Sequence, residues 1–203
     1  MQFLQLDAKA ALKLSVDPRR HKLTPSGGSY TPSVLYSFQG GNDGAAPLGN
    51  ELAMDAAGNL YGAATYGGQF GYGTVFKLVH SAGGYTFQLL YTFTNGADGS
   101  APQGSVVLDS AGNLYGSSGD GGGIFQITPS GTYTLIDPIL GGLTSPITID
   151  SSGTIYGTNY SGGTRGDGSI FKLAFANGVW TETTLHSFGG NDGALPLGGR
   201  DYE

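Results

Sequence analysis

No cysteine occurs among the 203 residues. Disulfide scaffolds, Cys-ligated zinc or iron–sulfur centres and cysteine nucleophiles are therefore excluded. Charge is sparse too: 12% of residues are Asp, Glu, Lys or Arg, about half the roughly 25% usual in a globular domain. There is no Gly-x-Ser-x-Gly elbow to present a serine nucleophile. Helical periodicity is missing beyond residue 20, which excludes a βαβ or dinucleotide-binding architecture. No apolar run approaches the about 20 residues of a membrane span. The segment Met1 to Arg20 lacks the basic, apolar and small-residue regions of a signal peptide. On those absences alone the expected location is cytoplasmic.

What is abundant is glycine, at 38 positions, together with 12 Tyr, 10 Phe and one Trp. So many aromatics do not belong in a disordered linker. The combination points to short strands joined by many tight turns. The net charge of −6 is unevenly spread. Lys9, Lys13, Arg19, Arg20 and Lys22 all fall in the first 22 residues, against Asp7 and Asp17, so the remainder is strongly acidic. Such a body repels phosphate backbones, and no nucleic-acid or membrane partner is expected.

Self-comparison carries the most information. Glu51-Leu-Ala-Met-Asp-Ala-Ala-Gly-Asn-Leu-Tyr-Gly62 aligns with Ser105-Val-Val-Leu-Asp-Ser-Ala-Gly-Asn-Leu-Tyr-Gly116 and with Pro146-Ile-Thr-Ile-Asp-Ser-Ser-Gly-Thr-Ile-Tyr-Gly157. A glycine-rich stretch follows each, and then Gly73-Thr-Val-Phe-Lys-Leu78, Gly122-Gly-Ile-Phe-Gln-Ile127 or Gly168-Ser-Ile-Phe-Lys-Leu173. A third unit closes the period: Leu35-Tyr-Ser-Phe38, Leu90-Tyr-Thr-Phe93 and Leu185-His-Ser-Phe188. Beside it lie Gly41-Asn-Asp-Gly44, Gly96-Ala-Asp-Gly99 and Gly190-Asn-Asp-Gly193.

Each repeat reads as four short antiparallel strands, the blade of a β-propeller. Asp-x-x-Gly makes the first hairpin turn, because Asp bonds backbone amides and Gly accepts positive φ. The expected fold is all-β, a propeller of about four four-stranded blades with one blade shared between the termini. Residues 21–38 supply its outer half, and Pro196-Leu-Gly-Gly199 matches Pro47-Leu-Gly-Asn50, the lead-in to an innermost strand. Residues 1–20 form a non-repeat or degenerate-strand segment ahead of the propeller domain at 21–203. Open blade edges invite pairing, so self-association is also expected, with the ring closed by one chain or by two.

The sequence Asp-x-x-Gly-Asn-Leu-Tyr-Gly, then Gly-Thr-Val-Phe-Lys-Leu, then Leu-Tyr-Ser-Phe-x-Gly-Gly-x-Asp-Gly resembles the Gloeo/Verruco repeat family, over roughly residues 21–199. The resemblance weakens in blade 2, whose loop between Tyr115 and Phe125 is short, and after it, where Asp137-Pro-Ile-Leu-Gly-Gly-Leu replaces the Asp-Gly turn. Many proteins with these repeats look like long secreted surface proteins. A compact one of this size is similar to a metagenome-derived, calcium-dependent bacterial hydrolase of acyl-homoserine lactones, a quorum-quenching lactonase. The resemblance thus implies a small lactone or ester as substrate.

In a propeller, the turns that follow the outermost strands share a face with the glycine loops. Asp43, Asp98 and Asp192 lie in those turns, and carboxylates converging from successive blades repel unless a cation sits among them. Hard oxygen ligands suit Ca²⁺. The competing reading is that each Asp only closes its turn. The glycine loops contribute Asp120 and Asp167 as candidate water-activating carboxylates. Tyr66, Tyr72 and Tyr160 are candidate substrate contacts there, or stacking platforms if the chain is a non-catalytic scaffold or glycan-binding surface module. Asp55, Asp109 and Asp150 are expected to serve turns on the opposite face. The three histidines fall at different repeat positions and are expected to be structural: His80 at a turn, His21 where other repeats have Phe, His186 in place of Tyr36 or Tyr91.

Overall fold

The structure is a computed structural model and describes residues 19–26, 29–47, 51–102, 105–119, 122–137, 146–189 and 191–196. Among them every regular element is a β-strand, and no helix is long and apolar enough to cross a membrane. Strands β1 (Arg19–Ser26) and β2 (Ser29–Ser37) form a hairpin. Blade 1 follows as β3 (Ala53–Met54), β4 (Leu60–Ala64), β5 (Thr74–Ser81) and β6 (Gly84–Thr92). Blade 2 comprises β7 (Val107–Leu108), β8 (Leu114–Ser117), β9 (Ile124–Ile127) and β10 (Tyr133–Asp137). Blade 3 comprises β11 (Thr148–Ile149), β12 (Ile155–Asn159), β13 (Ser169–Ala176) and β14 (Val179–Ser187).

Within each blade the strands pair antiparallel in chain order. The protein is an all-β propeller of three four-stranded blades and one two-stranded unit among the described residues. The hairpin is the outer half of a blade, as its sequence predicts. The expected inner half, from residues 1–18 and the stretch beyond Pro196, lies outside the described residues. Strand β1 begins at Arg19, within the segment set apart above as non-repeat.

Local chemistry explains the strand breaks. Asp55 Oδ1 accepts the amides of Ala57 and Asn59 at 3.0 and 2.9 Å, and Gly58 turns the chain at φ 81°. Asp109 with Gly112 and Asp150 with Gly153 repeat the device. The glycine of each Leu-Tyr-Gly then has a steric purpose. Gly62, Gly116 and Gly157 pair across the ladder with Phe76, Phe125 and Phe171. A Cβ at Gly62 would lie 2.6 Å from Phe76 Cζ, so the ring covers bare backbone. These three phenylalanines are fully buried.

The fourth strand of every unit carries a bulge at the same place, Leu35, Leu90, Ile136 and Leu185. A bulge turns two successive side chains toward one side of the sheet. Leu90 and Tyr91 thereby both reach the next blade's core. The core is consequently a series of joints, one between each pair of successive units. Phe38 packs with Leu60, Phe76 and Leu78; Val75 and Phe93 with Leu114, Phe125 and Ile127; Tyr115 and Ile124 with Ile155, Phe171 and Leu173. Trp180 packs against the last of these, as expected of a packing residue.

Candidate functional site

The Asp-Gly turns and the glycine loops do share a face, stitched by backbone bonds. Ala45 exchanges hydrogen bonds with Tyr66 of the next blade, and Ser100 does the same with Gly119. In the other direction, the amides of Ala101 and Leu195 donate to the Tyr72 and Asp167 carbonyls of the preceding loop, at 2.9 and 2.6 Å. Ala46, Ala101 and Leu195 occupy one repeat position and hold φ of 47°, 45° and 52°. Non-glycine residues rarely adopt that conformation, and it persists only where neighbouring bonds fix it.

The three turn aspartates are held individually. Asp43 Oδ2 accepts the Tyr36 hydroxyl and the Gln39 amide, each at 2.8 Å. Asp98 accepts the Tyr91 hydroxyl at 3.1 Å, the Thr94 amide and hydroxyl at 2.8 and 2.6 Å, and the Gly96 amide at 3.0 Å. Burial alone would raise the Asp98 carboxyl, but these donors outweigh it and hold it below the usual range. Burial, and then the carboxylate beside each, push the Tyr36 and Tyr91 hydroxyls up to about 12. Asp43 lacks the Thr94 hydroxyl, since Gln39 stands there, and its Oδ1 is buried without a partner.

Blade 3 departs from this pattern. Its turn is one residue shorter, and His186 replaces the tyrosine. His186 Nε2 lies 2.8 Å from Asp192 Oδ2, both side chains about half exposed. Asp192 Oδ1 accepts the Gly189 amide at 2.7 Å, and Arg165 Nη1 donates to the Gly189 carbonyl at 3.0 Å. The Gly189 amide first, and the histidine after it, hold the Asp192 carboxyl below its ordinary value. An imidazole oriented by an anchored carboxylate and open to water can shuttle a proton.

Sequence reasoning took Asp192 for a ligand and His186 for a structural residue. The available signal was the swap of His for Tyr six residues before the aspartate. Of the loop candidates, Tyr66 is 55% and Tyr72 40% exposed, with Phe70 at 50% beside them. Tyr160 and Asp167 are half-buried. Asp120 lies outside the described residues.

The Gloeobacter/Verrucomicrobia repeat model matches residues 21–142, more than half of the chain. The chain belongs to that repeat family. No curated protein is detectably similar to it. Among solved structures, a protein assigned as a gluconolactonase shares the fold at a TM-score of 0.56 and 15% identity. That match covers 83% of this chain and 56% of the other. A gluconolactonase of Xanthomonas campestris gives 0.54 and 13%, covering 82% and 55%. The repeat-family chain thus spans little more than half the length of the solved structures it matches, and at these identities the likeness shows the fold.

Asp43, Asp98 and Asp192 do not fit a shared calcium ion. Calcium takes about six to eight oxygens, whereas Asp98 and Asp192 have both oxygens engaged within their own turns. Among the described residues no group of three or more His, Asp and Glu is placed to hold a metal. On the opposite face, Asp109 and Asp150 line a cleft of about 360 Å³ with Ser110 and Ser152. They accept Tyr115 and Tyr156 at 3.1 Å each, in the turn role expected of them.

Proposed function

We propose that the chain is a hydrolase of small lactones in which His186, oriented by Asp192, activates water. The His186–Asp192 contact carries the reading, and the fold shared with two gluconolactonases supports the substrate class. Water gives a proton to the imidazole, and the hydroxide adds to the lactone carbonyl carbon. Asp192, held ionised, stabilises the imidazolium that results. The role of stabilising the developing oxyanion is assigned to Arg165, whose guanidinium is held by its bond to the Gly189 carbonyl. As the ring C–O bond breaks, the imidazolium returns its proton to the departing alkoxide. The product is a hydroxy acid, which ionises and releases one proton per ring opened. Acyl-homoserine lactones are the first substrates to test, with a sugar lactone second.

Proton release by the full chain measures turnover. His186→Gln should lower kcat about 10²–10⁴-fold, the usual contribution of a general base, with the β-sheet circular dichroism unchanged. Turnover at the original rate in that variant sinks the proposal. Activity that chelation abolishes and Ca²⁺ alone restores, with His186→Gln unaffected, would move the chemistry to a cation bound elsewhere. One observation favours a second reading: Tyr66, Phe70 and Tyr72 are all exposed on a single loop, as in an aromatic platform for sugars. Saturable polysaccharide binding without lactone turnover, lost in Tyr66→Ala with Tyr72→Ala, would select it.

A further inference from the structure

Blades 1 and 3 carry glycine loops of equal length with the same backbone bonds. The Gly73 and Gly168 amides donate to the Gly67 and Gly162 carbonyls, each at 2.9 Å. The Gly71 amide donates to the Gly68 carbonyl at 3.1 Å, as Gly166 does to Gly163 at 3.4 Å. Phe93 and Phe188 close the two loops through the Gly73 and Gly168 carbonyls, each at 3.0 Å. Backbone bonds and glycines thus set the loop conformation, and the other side chains are not needed for it. Those side chains differ in kind. Tyr66, Phe70 and Tyr72 of blade 1 stand where blade 3 has Ser161, Arg165 and Asp167. Packing does not account for the three rings either, since all are exposed.

The bridge between Gly67 and Tyr72 brings Tyr66 and Tyr72 to the neck of the blade 1 loop, with Phe70 at its tip. Exposed amide side chains flank the rings. Gln69 precedes Phe70, and Asn42 lies in the neighbouring turn, where the Gly41 carbonyl accepts the Gly68 amide at 2.9 Å. A Cβ at Gly41 or Gly71 would meet nothing within 4 Å, so bare backbone leaves open space beside the loop. Gly71 is required by its φ of 85°, whereas Gly41 holds no positive φ and is not required by the turn. The loop and the turns on either side of it all belong to the described residues.

We infer that the blade 1 loop is a docking site for a neutral polysaccharide of equatorially substituted pyranoses, separate from the His186–Asp192 pair. Such sugars present a face of axial C–H groups that stacks on an aromatic ring. Their hydroxyls pair with the amides of Asn42 and Gln69 and with the tyrosine hydroxyls, which donate and accept alike. Charge selects the class of polymer. Residues 65–73 carry no charge, and the acidic body around them repels uronate and phosphate chains. Three rings spread from neck to tip suit an extended chain rather than one sugar. An aliphatic protein surface fits less well, because glycine and glutamine separate the rings and no continuous apolar patch results. The site extends the sugar platform named above from an alternative function to a binding site that stands whether or not His186 opens a lactone.

Isothermal titration of the full chain with a β-1,4-linked glucose hexamer should show saturable binding, and a polyuronate of the same length should show none. Tyr66→Ala and Tyr72→Ala should each weaken the binding about tenfold. Exchanging the set for its blade 3 counterparts, Tyr66→Ser with Phe70→Arg and Tyr72→Asp, should abolish it. The β-sheet circular dichroism should persist in that variant, because blade 3 builds the same loop with those residues. Proton release from lactones is scored separately, so a chain that binds the hexamer and opens no lactone fails the hydrolase reading alone. No binding of the hexamer overturns the inference. Equal binding of the polyuronate, or binding that the alanine variants retain at full strength, overturns it as well.

Discussion

The joint between blades 1 and 2 and the joint between blades 2 and 3 share one backbone register but differ at the outer rim. In the first, Tyr91 stacks on Tyr133 with centroids 4.1 Å apart and planes 13° apart, and the Tyr133 hydroxyl donates to the Asp98 carbonyl. In the second, the same two positions hold Asp137 and Glu182. Burial, first of all, raises both carboxyls, and Glu182 is raised further by its hydrogen bond and repulsion with Asp137. Two facing carboxyls replace an aromatic stack. The buried row beneath is common to both, with Phe125 in one and Phe171 in the other. Joint cohesion thus resides in that row, where close packing is enforced, and the rim is free to take a different chemistry.

The largest expected effect tests the shared row. Phe125→Ala and Phe171→Ala should each destabilise by about 3–5 kcal/mol, read from denaturant midpoints. A clearly milder Phe171→Ala would show that the two joints are not equivalent beneath the rim. A smaller effect isolates the rim pair. A carboxyl raised on folding adds stability that is present below its unfolded range and is lost as pH rises through its folded value. The Asp137–Glu182 pair therefore weakens its joint toward neutral pH. Glu182→Gln keeps the hydrogen bond to Asp137 without the second negative charge. Because Glu182 is exposed and solvent screens the repulsion, Tm should rise by at most about 2 °C at pH 7, and by less at pH 4. An equal gain at both pH values would mean that repulsion between the two carboxylates does not weaken the joint. The smallest effect is Tyr91→Phe, which keeps the stack and deletes one of four donors to Asp98. With three donors left on Asp98 it should cost about 0.5 kcal/mol, the low end for a hydrogen bond, and no loss would mean that the remaining donors suffice.

Much of the architecture was legible in the residues. Asp-x-x-Gly and the buried Tyr-Gly/Phe pairing are local devices that repeat, and repetition makes them visible. The bulge was not legible. Leu90 and Tyr91 read as opposite faces of a strand, and only the extra residue in the ladder turns both toward the next blade. The site was legible by location rather than by role. The turns and glycine loops meet as expected, but Asp98 and Asp192 have both oxygens engaged within their own turns, Asp43 keeps one buried oxygen without a partner, and the residue that meets Asp192 is a histidine that passes for a repeat substitution.

The sequence by itself determined the blade: strand order, turn chemistry and the apolar row follow from period-two alternation and from glycine where a ring or a positive φ requires it. Tertiary structure decided which sides of the blades are covered, because burial depends on what packs across each joint and not on the strand that presents it. It also decided that His186 meets Asp192 while Asp98 meets Tyr91. A turn one residue shorter changes the reach of a carboxylate, and reach through space is a property that composition and spacing do not carry.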